Sequence, residues 1–265
     1  MTPHRTVFTI ADPTAPRQRP SDASAAIEIM NSGNAAYAGR GTEGTYEVTV
    51  DPEAFGVPRT PGTTIRQEPL AATLSCSDAR VPMEQLFGRF TNDLFVTRVA
   101  GNVPSPDVIG SLQFAESYLP SVKAIVVVGH SSCGAVTAAV DSVLKPTTHV
   151  ASLDNPELGN IVATIIPSVR MSVSAITEVH GSHASESASY RTSLIDVGIL
   201  ANAAVTAMAL AEQIDREVFF GVYDLSTRLV GIPGPDGTRG GLHSAPGTEA
   251  DLRALLSTAA RALSL

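Results

Sequence analysis

The chain has 265 residues, 43% hydrophobic and 17% charged, which is enough to bury the core of one large α/β domain or two small ones. A formal net charge of −8 and a sequence pI near 5.2 argue against nucleic acid as the main partner and fit a cytoplasmic protein. No secretory signal is expected from the polar N-terminus, and no membrane span from the longest apolar stretch, Val197–Ala211, which is short and carries Asn202 and Thr206.

Residues 1–20, rich in Pro, Thr and Arg, read as a flexible arm, and residues 21–265 as a single domain. Ser21–Ala38 predicts a helix capped by Ser21 or Asp22, and Tyr46–Val50 alternates like a strand. Asp51–Pro69 reads as a loop because of its Pro and Gly. Leu70–Leu74, Leu94–Val99, Ala124–Val128 and Glu217–Tyr223 read as strands, and Leu229–Ile232 as a short partner for the last of them. Helices are expected at Met83–Phe87, Val108–Leu119, Gly134–Leu144 and Asp196–Arg216, with a helical piece from about Asn160 to Val179 after a Pro-bearing loop. Thr248–Leu263 predicts a closing helix, with Thr248 and Asp251 spaced for capping. Strands alternating with helices predict an α/β fold with a mainly parallel sheet and helices on both faces.

Two stretches concentrate the chemistry. Leu70–Pro82 reads LAATLSCSDARVP and Gly129–Val136 reads GHSSCGAV, and between them they hold both cysteines of the chain, Cys76 and Cys133. Each stretch is an apolar run with polar residues just past its end, where ligands collect in a parallel sheet. A Cys76–Cys133 disulfide is disfavoured in a reducing cytosol and leaves His130 without a role. Two inert core thiols are a second reading, although a turn rich in Gly and Ser is a poor place for them. A cysteine phosphatase would need an arginine further along, where position 82 is proline. A Cys–His nucleophile remains open beside metal chelation.

Zinc accepts thiolate and imidazole in tetrahedral array, and three protein ligands leave a fourth position open for catalysis. Two thiolates cancel the charge of the ion, so such a centre acidifies water less than a three-histidine site and gains from outside help. Asp78 is spaced to accept a hydrogen bond from the nucleophile, and Arg80 to hold that carboxylate by a forked pair.

The motifs C-S-D-A-R-V-P at Cys76–Pro82 and G-H-S-S-C-G-A-V at Gly129–Val136 resemble the β-class carbonic anhydrases. DLFVTRVAGN at Asp93–Asn102, GSLQFA at Gly110–Ala115 and VYDL at Val222–Leu225 extend the likeness. The resemblance implies reversible hydration of carbon dioxide to bicarbonate, zinc on Cys76, His130 and Cys133, and an orienting dyad of Asp78 and Arg80. It implies a homodimer or larger homo-oligomer with the pocket at the subunit interface. Gln67 matches a substrate-bonding glutamine, while Phe95 and Phe114 match pocket-wall aromatics; Gln67 and Phe95 would serve the partner's zinc. Phe114 stands where many members carry tyrosine, Val99 replaces a common asparagine, and Lys145–Ser193 looks longer and more polar than usual. His180 and His183 read as solvated loop residues. The altered pocket leaves open hydrolysis of a sulfur analogue such as carbonyl sulfide or carbon disulfide, and an inactive zinc-binding homologue is a further alternative. Asp78 is also close enough to Cys76 in sequence to close the site by swinging onto zinc.

Overall fold

Strands buried on both faces must be apolar at nearly every position, and two runs of this chain meet that demand. In the computed structural model, which describes residues 5–11, 19–41, 45–147, 155–234 and 239–265, β3 (Ala71–Ser75) and β5 (Ala124–His130) are buried at every residue. They pair in parallel, Ala71 opposite Ala124 and Ser75 opposite Val128. β4 (Leu94–Arg98) pairs in parallel with the far side of β3, and β6 (Val218–Tyr223) with the far side of β5. β7 (Val230–Gly231) and β8 (His243–Ser244) run antiparallel along the outer side of β6. The chain therefore leaves β3 outward to β4 and returns to β5 on the opposite side, a reversal that opens a crevice between the carboxyl ends of β3 and β5.

The pleat divides the core in two. Ala71, Ala124, Val126 and Val128 face α1 (Ala23–Ala38) and α2 (Met83–Leu86), which bury Ala26, Ile27, Met30, Met83 and Leu86 there. Ala72, Leu74, Ile125 and Val127 face the larger layer. That layer comprises α3 (Pro106–Tyr118), α4 (Gly134–Leu144), α5 (Pro156–His180), α6 (Tyr190–Ala211) and α7 (Glu249–Arg261). α1 sits close enough to α2 that a Cβ on Gly33 would lie 1.8 Å from the Phe87 carbonyl oxygen, so only glycine fits. The buried Asn34 amide donates to the carbonyls of Leu86 and Arg228 and accepts from the Val230 N–H, tying α1 to the far end of the chain.

The caps act as read from the sequence. Asp22 accepts from the Ala25 N–H, and Thr248 accepts from the Asp251 N–H. Several expectations change. Residues 5–10 of the expected flexible arm form β1 (Arg5–Ile10), parallel to β2 (Thr45–Val50); residues 1–4 and 12–18 lie outside the described set. α5 starts at Pro156, which suits the first turn because it lacks only an N–H that would be unpaired there, and Pro167 is accommodated inside the helix. His180 is not a solvated loop residue: it closes α5 and its Nε2 donates to the Ala260 carbonyl at 2.8 Å. His183 is exposed and faces Glu186. The helix expected over Asp196–Arg216 is displaced toward the N-terminus: α6 begins at Tyr190 and ends at Ala211. By length and composition alone both α5 and α6 could cross a membrane; α6 is mostly buried against the sheet and its neighbouring helices.

Candidate metal centre

Cys76 follows the last residue of β3, His130 is the last residue of β5, and Cys133 caps α4. Parallel pairing of β3 with β5 brings these ends together across a sequence gap of more than fifty positions. Ser132, between the two later residues, takes a left-handed backbone conformation (φ 58°). That turn lets His130 and Cys133 point to the same side, at a conformational cost the surrounding bonds must offset. The Ser131 N–H donates to the Tyr223 carbonyl and the Ser131 hydroxyl accepts from the Leu225 N–H, which lock the turn to the end of β6.

The two sulfurs and one imidazole nitrogen lie within 4.8 Å of one another, and all three residues are buried. His130 Nδ1 faces the Ser131 carbonyl oxygen at 3.0 Å. A carbonyl only accepts, so the neutral ring carries its proton on Nδ1 and presents a lone pair at Nε2. Nε2 is buried and has no hydrogen-bond partner. A buried imidazole acceptor left bare beside two free thiols fits a metal ion.

Asp78 and Arg80 flank this triad. Arg80 makes a forked pair with the Asp78 carboxylate, Nε to Oδ1 at 3.0 Å and a terminal nitrogen to Oδ2 at 2.7 Å, and its backbone N–H also donates to Oδ1. Asp78 Oδ2 lies 3.9 Å from His130 Nε2, which sets the carboxylate over the ligand atoms. Arg80 hydrogen bonding is the main cause holding the Asp78 carboxyl well below its ordinary value. The Cys76 thiol is pushed down to about 4 by a hydrogen bond from Cys133, helped by the Gly101 N–H. The Cys133 thiol is pushed up, because it holds the shared proton and is buried beside an anion. A bound dication would remove that competition and deprotonate both thiols.

Arg98 escaped notice in the sequence. Its Nε donates to the Cys76 carbonyl at 3.1 Å and a terminal nitrogen to the Asp78 carbonyl, so one side chain at the end of β4 braces the loop carrying ligand and dyad. The signal was there as TRVAGN, which begins in the last residues of β4, but its partners are backbone atoms, which no motif names. The other expected residues lie elsewhere. Gln67 is exposed beyond the amino end of β3, among Arg66, Asn92 and Leu94, at the end of the sheet opposite the cysteines. Phe95 lies on β4 and Phe114 on α3; their rings are 6.5 Å apart, and Phe114 packs on Tyr118 at 4.9 Å.

Fold and triad together define an α/β protein with a buried Cys–His–Cys cluster that could hold a metal ion, beneath an arginine-held carboxylate. A family model described as Carbonic anhydrase matches residues 71–230, more than half of the chain. The chain belongs to the β-class carbonic anhydrase family. It is similar to Carbonic anhydrase 2 of Mycobacterium tuberculosis, 36% identical over 124 residues that cover 45% of this chain and 57% of that protein. It is similar to the Carbonic anhydrase of Mycolicibacterium smegmatis, 33% identical over 135 residues that cover 49% of this chain and 63% of that protein. The matched region thus spans roughly three fifths of those relatives' length. Among solved structures, a Coccomyxa β-carbonic anhydrase in complex with acetazolamide shares the fold, with a TM-score of 0.51 and 22% identity over 71% of this chain and 81% of that one.

Proposed function

We propose that this protein binds one zinc ion per subunit and catalyses the reversible hydration of carbon dioxide, CO₂ + H₂O ⇌ HCO₃⁻ + H⁺. The observation that carries the reading is the bare, buried Nε2 of His130 within 4.8 Å of two thiols, with an ionised Asp78 directly above it. Zinc held there would supply a Lewis acid able to acidify water near neutral pH.

The protein's own groups do the rest. Arg80 keeps Asp78 ionised, so the carboxylate accepts a hydrogen bond and never donates one. A water molecule under Asp78 then has one hydrogen fixed on the carboxylate and turns a lone pair toward the substrate carbon. Arg98 holds the Cys76 and Asp78 carbonyls, so ligand and dyad keep their spacing as charge builds. Bidentate pairing with Arg80 engages both Asp78 oxygens, which would favour an arrangement in which the carboxylate stays off a bound ion.

The working unit is a homodimer or larger homo-oligomer in which Gln67, Phe95 and Phe114 of one subunit complete the pocket of the next. Three features support this. Gln67 lies at the wrong end of its own sheet. The outer side of β4 pairs with no strand among the described residues. Phe114 and Tyr118 expose 48% and 71% of their surface there, an apolar patch suited to burial against a second copy. Net charge and composition support a cytoplasmic location, and residues 21–265 act as one catalytic domain. Metal analysis combined with stopped-flow carbon dioxide hydration tests the reading. Stoichiometric zinc with turnover that disappears on chelation and returns on zinc addition is expected; a zinc-loaded, folded protein without turnover would refute it.

A further inference from the structure

α6 is apolar along most of its length, yet it buries Asn202 and Thr206, only 4% and 2% exposed, one turn apart on one side of the helix. Polar groups in that setting need partners, and both find them in the same place. Asn202 Nδ2 donates to the Gly101 carbonyl at 2.8 Å, and the Thr206 hydroxyl to the Asn102 carbonyl at 3.4 Å. These carbonyls belong to the short 3-10 turn Ala100–Asn102 that follows β4. From that turn the Gly101 N–H points back to Cys76 Sγ at 3.3 Å. Gly101 adopts φ +67°, and a Cβ there would meet Ile165 Cδ1 at 2.7 Å and Ala135 Cβ at 3.0 Å, so the turn is tightly seated.

We infer that Asn202, seconded by Thr206, is a positioning residue for the metal centre, acting through Gly101 to aim an N–H at the Cys76 sulfur. The inference rests on the metal-centre reading above and goes beyond its ligands and dyad. An N–H···S bond draws electron density off a thiolate. In a centre where two thiolates already cancel the charge of a dication, that withdrawal leaves the ion more able to acidify water. The helix core thereby sets the electronic character of the site from behind, while Arg80 and Asp78 act on its open side.

The alternative is a simple core tether, and metal affinity separates the two. Asn202→Leu removes the donor at similar volume. Asn202→Ser, too short to reach Gly101, is a second variant should the first not fold. Ser172→Ala removes a buried hydroxyl that bonds Ser168 within α5 and serves as the control. In chelator competition, either Asn202 variant is expected to bind zinc about ten- to a hundredfold more weakly, the range for lost outer partners of metal ligands. Thr206→Val should change zinc affinity less, and Ser172→Ala not at all. With cobalt(II) in place of zinc, the sulfur-to-metal absorption band of the Asn202 variants should move to longer wavelength. An Asn202 variant with wild-type zinc affinity and an unmoved cobalt band, but a lower melting temperature, would make Asn202 a tether only. Wild-type protein that takes up neither zinc nor cobalt would instead remove the metal centre itself, and this inference with it.

Discussion

The two ends of the central sheet differ sharply. At the carboxyl end, Cys76, His130 and Cys133 are buried, Asp78 is held by a forked arginine, and Arg98, Ser131 and Gly101 bond the loops into place. At the amino end, Gln67 and its neighbours form an exposed surface among loops, with a shallow cavity of about 320 Å³. One end has its candidate ligand atoms gathered within a single chain, while the other sets Gln67 on an exposed surface at the opposite end of the sheet. For Gln67 to act at the metal centre, as proposed, a second copy must bring its amino end to the first copy's carboxyl end.

Substitutions at the two ends should break this contrast in order of size. Cys133→Ala removes a ligand and leaves two, so bound zinc and carbon dioxide hydration should both fall to background, as read by metal analysis and stopped flow. Asp78→Asn keeps shape but loses the charge that fixes the water, and kcat/KM should fall about a hundredfold or more, typical of a lost preorganised group, with zinc content unchanged. Gln67→Ala should cost about tenfold in kcat/KM, the worth of one hydrogen bond. That loss should be complemented in mixed oligomers where the intact Gln67 sits opposite an intact zinc site, which kinetics of heterodimers with Cys133→Ala subunits would read out.

The smallest expected effect is one of pH. Arg80 lowers the Asp78 carboxyl below its ordinary value of 3.8, so the stability it contributes is fully present above that value and is lost only as pH falls through the lower, folded-state value. Between about pH 5 and 9 the pair should not titrate, and any change in activity there belongs to other groups. A carboxyl NMR titration of Asp78 showing a midpoint above 5 would contradict this.

How much could be read in advance follows from the same contrast. β3 and β5 were legible because doubly buried strands need unbroken apolar runs, and the triad was legible because a metal ligand is recognised by its own atoms. Arg98 was not, since its partners are the carbonyls of Cys76 and Asp78 and any residue type supplies those. Asn202 registered only as a polar break in an apolar stretch, because its value depends on a turn 101 positions away. β8, two residues long, is defined by pairing with β6 and has no pattern of its own. The first turn of α5 was missed because Pro156 reads as a loop residue until it is placed in the opening turn, whereas the piece expected from Asn160 to Val179 is helical across Pro167.

The central claim is that Cys76, His130 and Cys133 share one ion. Anomalous diffraction from crystals of the full chain, collected on both sides of the zinc absorption edge, tests it most directly. One peak per subunit within bonding distance of Cys76 Sγ, His130 Nε2 and Cys133 Sγ is the predicted result. No peak there, with the two sulfurs joined as a disulfide, would contradict the account.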